Sequence, residues 1–195
     1  MDAPRLPLVL ASASTRRLDL LARLSIVPVR VIATDIDETP LKAEQPRALA
    51  ARLSLAKAEA ALPLAEGALV LAADTVVGVG RRILPKGETE ADARFCLKLL
   101  SGRRHCVTTG VVLALPDGRR IKRLVETHVT FQRLTEAQIE DYIASGEWQG
   151  KAGAYAIQGR AEAFTRFLSG SHSNVVGLPL FETAQMLRGI GWLKP

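Results

Sequence analysis

Ser12-Ala13-Ser14-Thr15-Arg16-Arg17 follows a short apolar run and precedes a helical repeat. Backbone N–H groups at a helix start, with two arginines beside them, attract anions, phosphate above all. The plainer reading is a solvated first turn capped by a serine, although arginine there opposes the helix dipole. Asp74-Thr75 stands where the apolar residues 69–73 run out. An aspartate leaving a strand can hold a metal or activate water, or simply make an Asx turn. Asp35, Asp37 and Glu38 share an acidic loop over residues 34–40. Such clusters are usually just solvated. Facing Asp74, they would share a divalent cation through oxygen ligands.

Lys57, Lys86 and Lys151 are dispersed, and each alone reads as a surface lysine. They gain meaning only if the fold converges them. The segment Lys151-Ala152-Gly153-Ala154-Tyr155-Ala156-Ile157-Gln158-Gly159 allows close backbone approach to a ligand at its glycines. Gln158 carries an amide able to read a base edge through paired hydrogen bonds. Chain geometry alone would also explain the glycines. Other motifs fail. Gly146 to Lys151 lacks the spacing and the Ser/Thr of a P-loop, and no G-x-G-x-x-G occurs. Residues 170–174 make no nucleophile elbow. His105, His128 and His172 are isolated, which argues against zinc, and His128 reads as structural.

These residues need a scaffold, and the hydrophobic pattern supplies one. Leu8-Val9-Leu10-Ala11 reads as a buried strand, and Leu18, Leu21, Ala22 and Leu24 as a helix after it, capped by Ser14 or Ser12. Residues 29–32 read as a strand. A helix starts at Pro46, a favoured first-turn proline, and runs to about Ala61. Residues 69–73 form a strand closed by Asp74-Thr75, with a hairpin from residues 76–80 and 82–84. Thr89 caps a helix ending near Leu100. Residues 107–115 and 121–131 pair around the turn Pro116-Asp117-Gly118. Thr135 to Gln138 fits a capping box before a helix to about Ala144. A short strand is expected at Tyr155-Ala156-Ile157, another at residues 164–168, and a last helix at residues 179–187. Early βα alternation followed by hairpins predicts an α/β protein with a mixed, twisted sheet.

The chain has 195 residues, 48% hydrophobic and 24% charged, so one domain over residues 1–195 with a sizeable core is expected. Aromatics make only 5%, which leaves the core to Leu, Val, Ile and Ala. The net charge is +6 and the pI near 9.7. Scattered basic residues with few aromatics favour a phosphate-bearing small molecule over nucleic acid. Cys96 and Cys106 form no metal or disulfide framework and read as two core thiols of a reducing compartment. No apolar run reaches the roughly 20 residues of a membrane span, and residues 1–7 lack a signal-peptide core. A cytoplasmic protein without membrane contact is the expectation.

Taken together, several segments resemble the Maf family of nucleoside triphosphate pyrophosphatases. They are residues 10–17, Ala72-Ala73-Asp74-Thr75-Val76-Val77, Leu99 to Arg103 with His105, Thr109-Gly110-Val111, residues 151–159, and Asn174 to Leu180. The resemblance implies an α/β fold of two lobes around a cleft, related to the inosine triphosphate pyrophosphatases. It implies hydrolysis of a nucleoside triphosphate to monophosphate and pyrophosphate with Mg²⁺ or Mn²⁺. Asp74 matches the catalytic aspartate and Glu38 an acidic residue at the site, and the two carboxylates are expected to hold the metal. Ser12, Arg16, Arg17, Lys57 and Lys86 match phosphate-binding positions. Arg16, Thr75 and Gln158 match the positions that set base specificity and look like the dTTP/UTP subfamily. A homodimer, nucleotide-pool sanitation and arrest of cell division are family-level expectations. The alternative is a nucleotide-dependent regulatory protein of septum formation with little catalysis.

The chain departs from the family pattern at five positions. Thr15 and Gly87 stand where proline is usual, Gly150 replaces an aspartate, Ala156 a glycine, and His172 a tyrosine. The first two concern loop stiffness. The lost acid at Gly150 bears on metal or phosphate contacts.

Overall fold

The computed structural model describes residues 5–194. Its strands are β1 (Leu8–Ala11), β2 (Arg30–Val31), β3 (Leu69–Val79), β4 (Arg82–Ile83), β5 (Arg104–Ala114), β6 (Arg120–Phe131) and β7 (Thr165–Ser169). The helices are α1 (Thr15–Ala22), α2 (Pro46–Ala61), α3 (Glu90–Leu100), α4 (Glu136–Ala144), α5 (His172–Val176) and α6 (Leu180–Gly189). One seven-stranded sheet runs β2-β1-β3-β5-β6-β7, with β4 on β3. β1 is parallel to β2 and β3, and every other pairing is antiparallel. The expected mixed α/β sheet flanked by helices is therefore observed.

Side chains alternate between the faces of a strand, and β3 is buried on both. Leu69, Leu71, Ala73 and Val77 enter the larger core with residues of α1, α3, α4 and α6. Val70 and Ala72 pack with Val9, Val112 and Ala58 of α2, and Val76 packs with Leu49, Ala50 and Leu53 of the same helix. Asp74 shares the parity of Val70, Ala72 and Val76, so it faces α2. Thr75 faces the other way. Two glycines let α2 lie this close. A Cβ on Gly110, which pairs with Asp74, would stand 2.4 Å from the Ala50 carbonyl oxygen and 2.4 Å from Ser54 Oγ. A Cβ on Gly78 would stand 2.6 Å from Pro46 Cγ.

Several expectations need correction. β3 does not close at Asp74 but continues to Val79, because Val76 and Val77 are as well buried as the residues before them. Neither Ser14 nor Ser12 caps α1 through its side chain; Ser12 Oγ instead accepts the Ser14 N–H at 3.1 Å. Residues 155–157 form no strand, since Gly153 (φ +67°) and Ala154 (φ +56°) reverse the chain just before them. α5 had no sequence expectation. Cys96 is buried but Cys106 only half-buried, so just one thiol is a core thiol. The capping boxes at Thr89 and Thr135 form, and Pro46 opens α2 as expected.

Candidate functional site

The site lies where β3 loses a neighbour. β1 is last paired at Ala11 with Ala72, and β4 is first paired through Ile83 with Gly78. The stretch of β3 between these points borders a cavity of about 350 Å³, ample for a small-molecule ligand. Crevices of this kind form where a parallel strand ends and the sheet changes direction. The strand that ends there is β1, while Asp74 sits in the middle of β3.

Ser12, Arg16, Arg17, Glu38, Lys57, Asp74, Thr75, Lys86 and Gln158 all line this one cavity. The phosphate, base and carboxylate candidates named from the sequence are thus brought together, except two acids of the 34–40 loop. Asp35 and Asp37 do not line it; Asp37 Oδ1 accepts the Thr39 N–H at 2.8 Å and orders the loop.

The floor is ionic. Lys57 sits on the sheet-facing stripe of α2 with Ala50, Leu53, Ala58 and Ala61, and is buried. Its Nζ donates to Asp74 Oδ1 at 2.5 Å and pairs with Glu38 Oε1 at 2.7 Å. Lys86, at the cavity rim, pairs with the other Glu38 oxygen. Burial pushes the Glu38 carboxyl up, but the hydrogen bonds from both lysines outweigh that and hold it below its ordinary value.

The wall at α1 is built on Arg17. Its Nε donates to the Gly177 carbonyl at 2.8 Å, one Nη to Ser12 Oγ at 2.9 Å, and the other to Thr75 Oγ1 at 3.4 Å. Burial lowers its pKa while the charge of Asp74 supports the cation; a guanidinium stays charged throughout. Thr75 Oγ1 lies 2.8 Å from Thr109 Oγ1, which donates to the Asn174 carbonyl at 3.1 Å. Asn174 Nδ2 in turn donates to Val107 O and Thr127 Oγ1. Among the described residues Arg16 has no hydrogen-bond or ion-pair partner, and burial alone lowers its pKa.

The remaining wall is the glycine-rich loop, stitched to the segment carrying Lys86. Lys86 bridges Ala152 and Gly87 bridges Gln149. Gly87 N–H donates to Lys151 O at 3.0 Å, a bond proline would not make, and Gly150 N–H returns one to Gly87 O at 2.8 Å. Gln158 is exposed at the cavity wall. Tyr155 Oη lies 2.8 Å from His105 Nε2, which braces the tyrosine from behind.

Lys151, named with the dispersed lysines but matched to no site position, lines the cavity too, as do Gln149 and Gly177, which sequence reasoning did not single out. Lys151 Nζ donates to Gln149 O at 2.9 Å, and burial, reinforced by the charge of Arg16, lowers its pKa. Its only sequence signal is its place at the head of the glycine-rich segment. Gly177, at φ +131°, presents its carbonyl to Arg17 and depends on α5, which no periodicity announced.

A resident metal site would need several protein ligands, and the described residues hold no group of three or more His, Cys, Asp or Glu suited to one. Asp74 and Glu38 are two hard oxygen donors on one ammonium. That set fits Mg²⁺ or Mn²⁺ supplied with phosphate oxygens, the usual manner for such ions. No helix among the described residues is long and apolar enough to cross a membrane.

A family model described as Maf-like protein matches residues 7–190. The chain is 61% identical over 201 residues to a dTTP/UTP pyrophosphatase of Granulibacter bethesdensis, covering 95% of this chain and 94% of that one. It is 62% identical to the dTTP/UTP pyrophosphatase of Novosphingobium aromaticivorans (94% and 92% covered) and 60% identical to that of Caulobacter vibrioides (95% and 96%). A solved nucleoside-triphosphatase, a dITP/XTP pyrophosphatase of Mycobacterium abscessus, aligns over 66% of this chain and 74% of its own, with a TM-score of 0.44 and 15% identity.

Proposed function

The chain belongs to the Maf-like protein family, and on that footing we propose that it is a nucleoside triphosphate pyrophosphatase acting on dTTP and UTP. The relatives' shared activity supports the reaction class, and they favour an enzyme over a purely regulatory binding protein. The observation that carries the reading is one cavity holding Arg16, Arg17, Lys57, Lys86 and Lys151 opposite Asp74 and Glu38, with an amide on its wall. A triphosphate is the ligand whose charge such a set neutralises.

In this reading the whole chain works as a single domain, with the cleft between its two lobes. The phosphates lie along Ser12, Arg16, Arg17, Lys57 and Lys86. Asp74 accepts a proton from a water that attacks the α-phosphorus. The bond from that phosphorus to the bridging oxygen breaks, and pyrophosphate leaves. The lysines and arginines stabilise the charge that grows on it, which is the main work of phosphoryl-transfer sites. Asp74 and Glu38 would hold Mg²⁺ or Mn²⁺, whose chemistry is to neutralise phosphate charge and orient the water. Gln158, Thr75 and Arg16 set the base preference. A pyrimidine edge satisfying the Gln158 amide is favoured because a wrong base leaves polar groups unpaired.

The test is pyrophosphate release from dTTP, UTP, CTP, GTP and 7-methyl-GTP with Mg²⁺ or Mn²⁺. Preferential turnover of dTTP and UTP, abolished in a folded Asp74→Asn variant, is the expected result. Turnover of none of them by folded protein refutes the proposal, and near-normal turnover by Asp74→Asn removes the general base.

A further inference from the structure

Lys57 stands where a metal would have to go. Its Nζ lies 2.5 Å from Asp74 Oδ1 and 2.7 Å from Glu38 Oε1, and Lys86 takes Glu38 Oε2. Two carboxylates and two ammonium groups cancel, so the floor of the cavity is neutral without any ligand. A divalent cation taking Asp74 and Glu38 as ligands must evict the ammonium that already uses both. The Lys57 and Asp74 side chains are only 10% and 6% exposed, so the evicted charge does not escape to water. The Lys57 stem is packed on the sheet side of α2 beside Leu53, Ala58 and Ala61, which confines its Nζ to the cavity. A buried cation stripped of its acceptors is strongly unfavourable. An anion inside the same cavity supplies the acceptors it would lose.

We propose that Lys57 is a place-holder for the metal in the free protein, and that a divalent cation reaches Asp74 and Glu38 only together with a polyphosphate that takes over Lys57 and Lys86. The inference rests on the triphosphate reading above for the identity of the anion, and on the ion-pair geometry for the exchange itself. Its consequence is thermodynamic coupling. Cation and polyphosphate each tighten the other's binding by the same factor, and the cation alone binds poorly.

The experiment needs no turnover. Mn²⁺ alone is titrated into the protein while the free-ion signal is followed by electron paramagnetic resonance. Wild type should bind it weakly. Lys57→Met, confirmed folded by circular dichroism, should bind it about tenfold tighter or more, because each hydrogen bond to a charged partner is worth a factor of that order. Lys57→Gln, which keeps a polar side chain, should show the same direction if the methionine variant does not fold. Adding Glu38→Gln to either variant should remove the gain, which assigns it to this carboxylate pair. Repeating the titration with α,β-imido-dTTP bound should tighten Mn²⁺ binding in wild type by a larger factor than in Lys57→Met. Equal Mn²⁺ affinity in wild type and both Lys57 variants overturns the proposal, as does an equal gain from the analogue. Wild type that hydrolyses dTTP yet binds Mn²⁺ alone as tightly as the variants sinks the place-holder and leaves the activity standing. Tighter Mn²⁺ binding in Lys57→Met, in a protein that hydrolyses no nucleotide, does the reverse.

Discussion

His105 ties the cavity wall to acid stability. It is 2% exposed on β5, edge-on to Phe131 and Tyr155, with Nε2 on the Tyr155 hydroxyl. Burial pushes its imidazole down from 6.5 to about 4, so the folded protein keeps it neutral while the unfolded chain protonates it at the ordinary value. Stability is therefore fully present above about pH 6.5 and falls as pH drops toward about 4, where the folded state begins to take up the proton. The gap of about 2.5 pH units is worth about 3 kcal/mol, a large share of the 5–15 kcal/mol typical of a domain. His105→Gln removes the titration and keeps an amide beside Tyr155. Urea unfolding of both proteins at about pH 7, 5.5 and 4.5 reads the effect through the linear extrapolation. The variant starts less stable at neutral pH, and its deficit should shrink by about 2–3 kcal/mol across that range. Parallel loss in the two proteins would refute the reasoning, since other groups would then carry the whole acid response.

Four further outcomes follow from the site. Gln158→Glu should reorder dTTP, UTP, CTP and GTP in kcat/KM; an unchanged ranking removes Gln158 from base selection. Arg17→Lys keeps the charge but loses the three-way fork to Gly177, Ser12 and Thr75. It should lower stability by about 1–3 kcal/mol and raise KM, as chemical denaturation and steady-state kinetics would show. Gly110→Ala places a methyl against the Ala50 carbonyl and Ser54 Oγ. It should cost about 1–3 kcal/mol by overpacking and reduce turnover by shifting α2 and Lys57; a fully stable, fully active variant contradicts the packing argument. Lys151→Met should raise KM for the triphosphate with little change in Tm, since its Nζ meets only a backbone carbonyl at the cavity.

The sequence made the site legible to the extent that its chemistry sat on regular elements. Lys57 falls on the stripe of α2 that also holds Leu53, Ala58 and Ala61. A lysine at a buried helical position needs a carboxylate partner, and Asp74 is that partner. The periodicity thus contained half of an ion pair before any fold was known. The other half was misplaced by a rule about strand ends. An aspartate inside a long apolar strand reads as a terminus, because carboxylates rarely sit mid-sheet. β3 passes straight through Asp74 since the lysine satisfies it and Gly110 opposite leaves room for the helix that brings the lysine.

What stayed hidden depends on tertiary contacts between irregular segments. α5 has five residues, too few for a helical repeat to register, yet it fixes Gly177 against Arg17 and Asn174 against Thr109. Residues 155–157 read as a strand because Tyr155 and Ile157 flank an alanine, while the positive φ angles that break the strand belong to Gly153 and Ala154 before them. Lys151 looked like any surface lysine, since only the stitching of its loop to Gly87 turns it into the cavity. The same pattern explains why the floor of the site was the more readable part. Its central pair, Lys57 and Asp74, lies on α2 and β3, whose periodicity fixes their faces, whereas the glycine-rich wall rides on loops whose positions are set by a few backbone hydrogen bonds. Gly150 belongs to that wall: it lines the cavity, its N–H holds Gly87 O at 2.8 Å, and its φ of +65° favours glycine over the aspartate usual at that position.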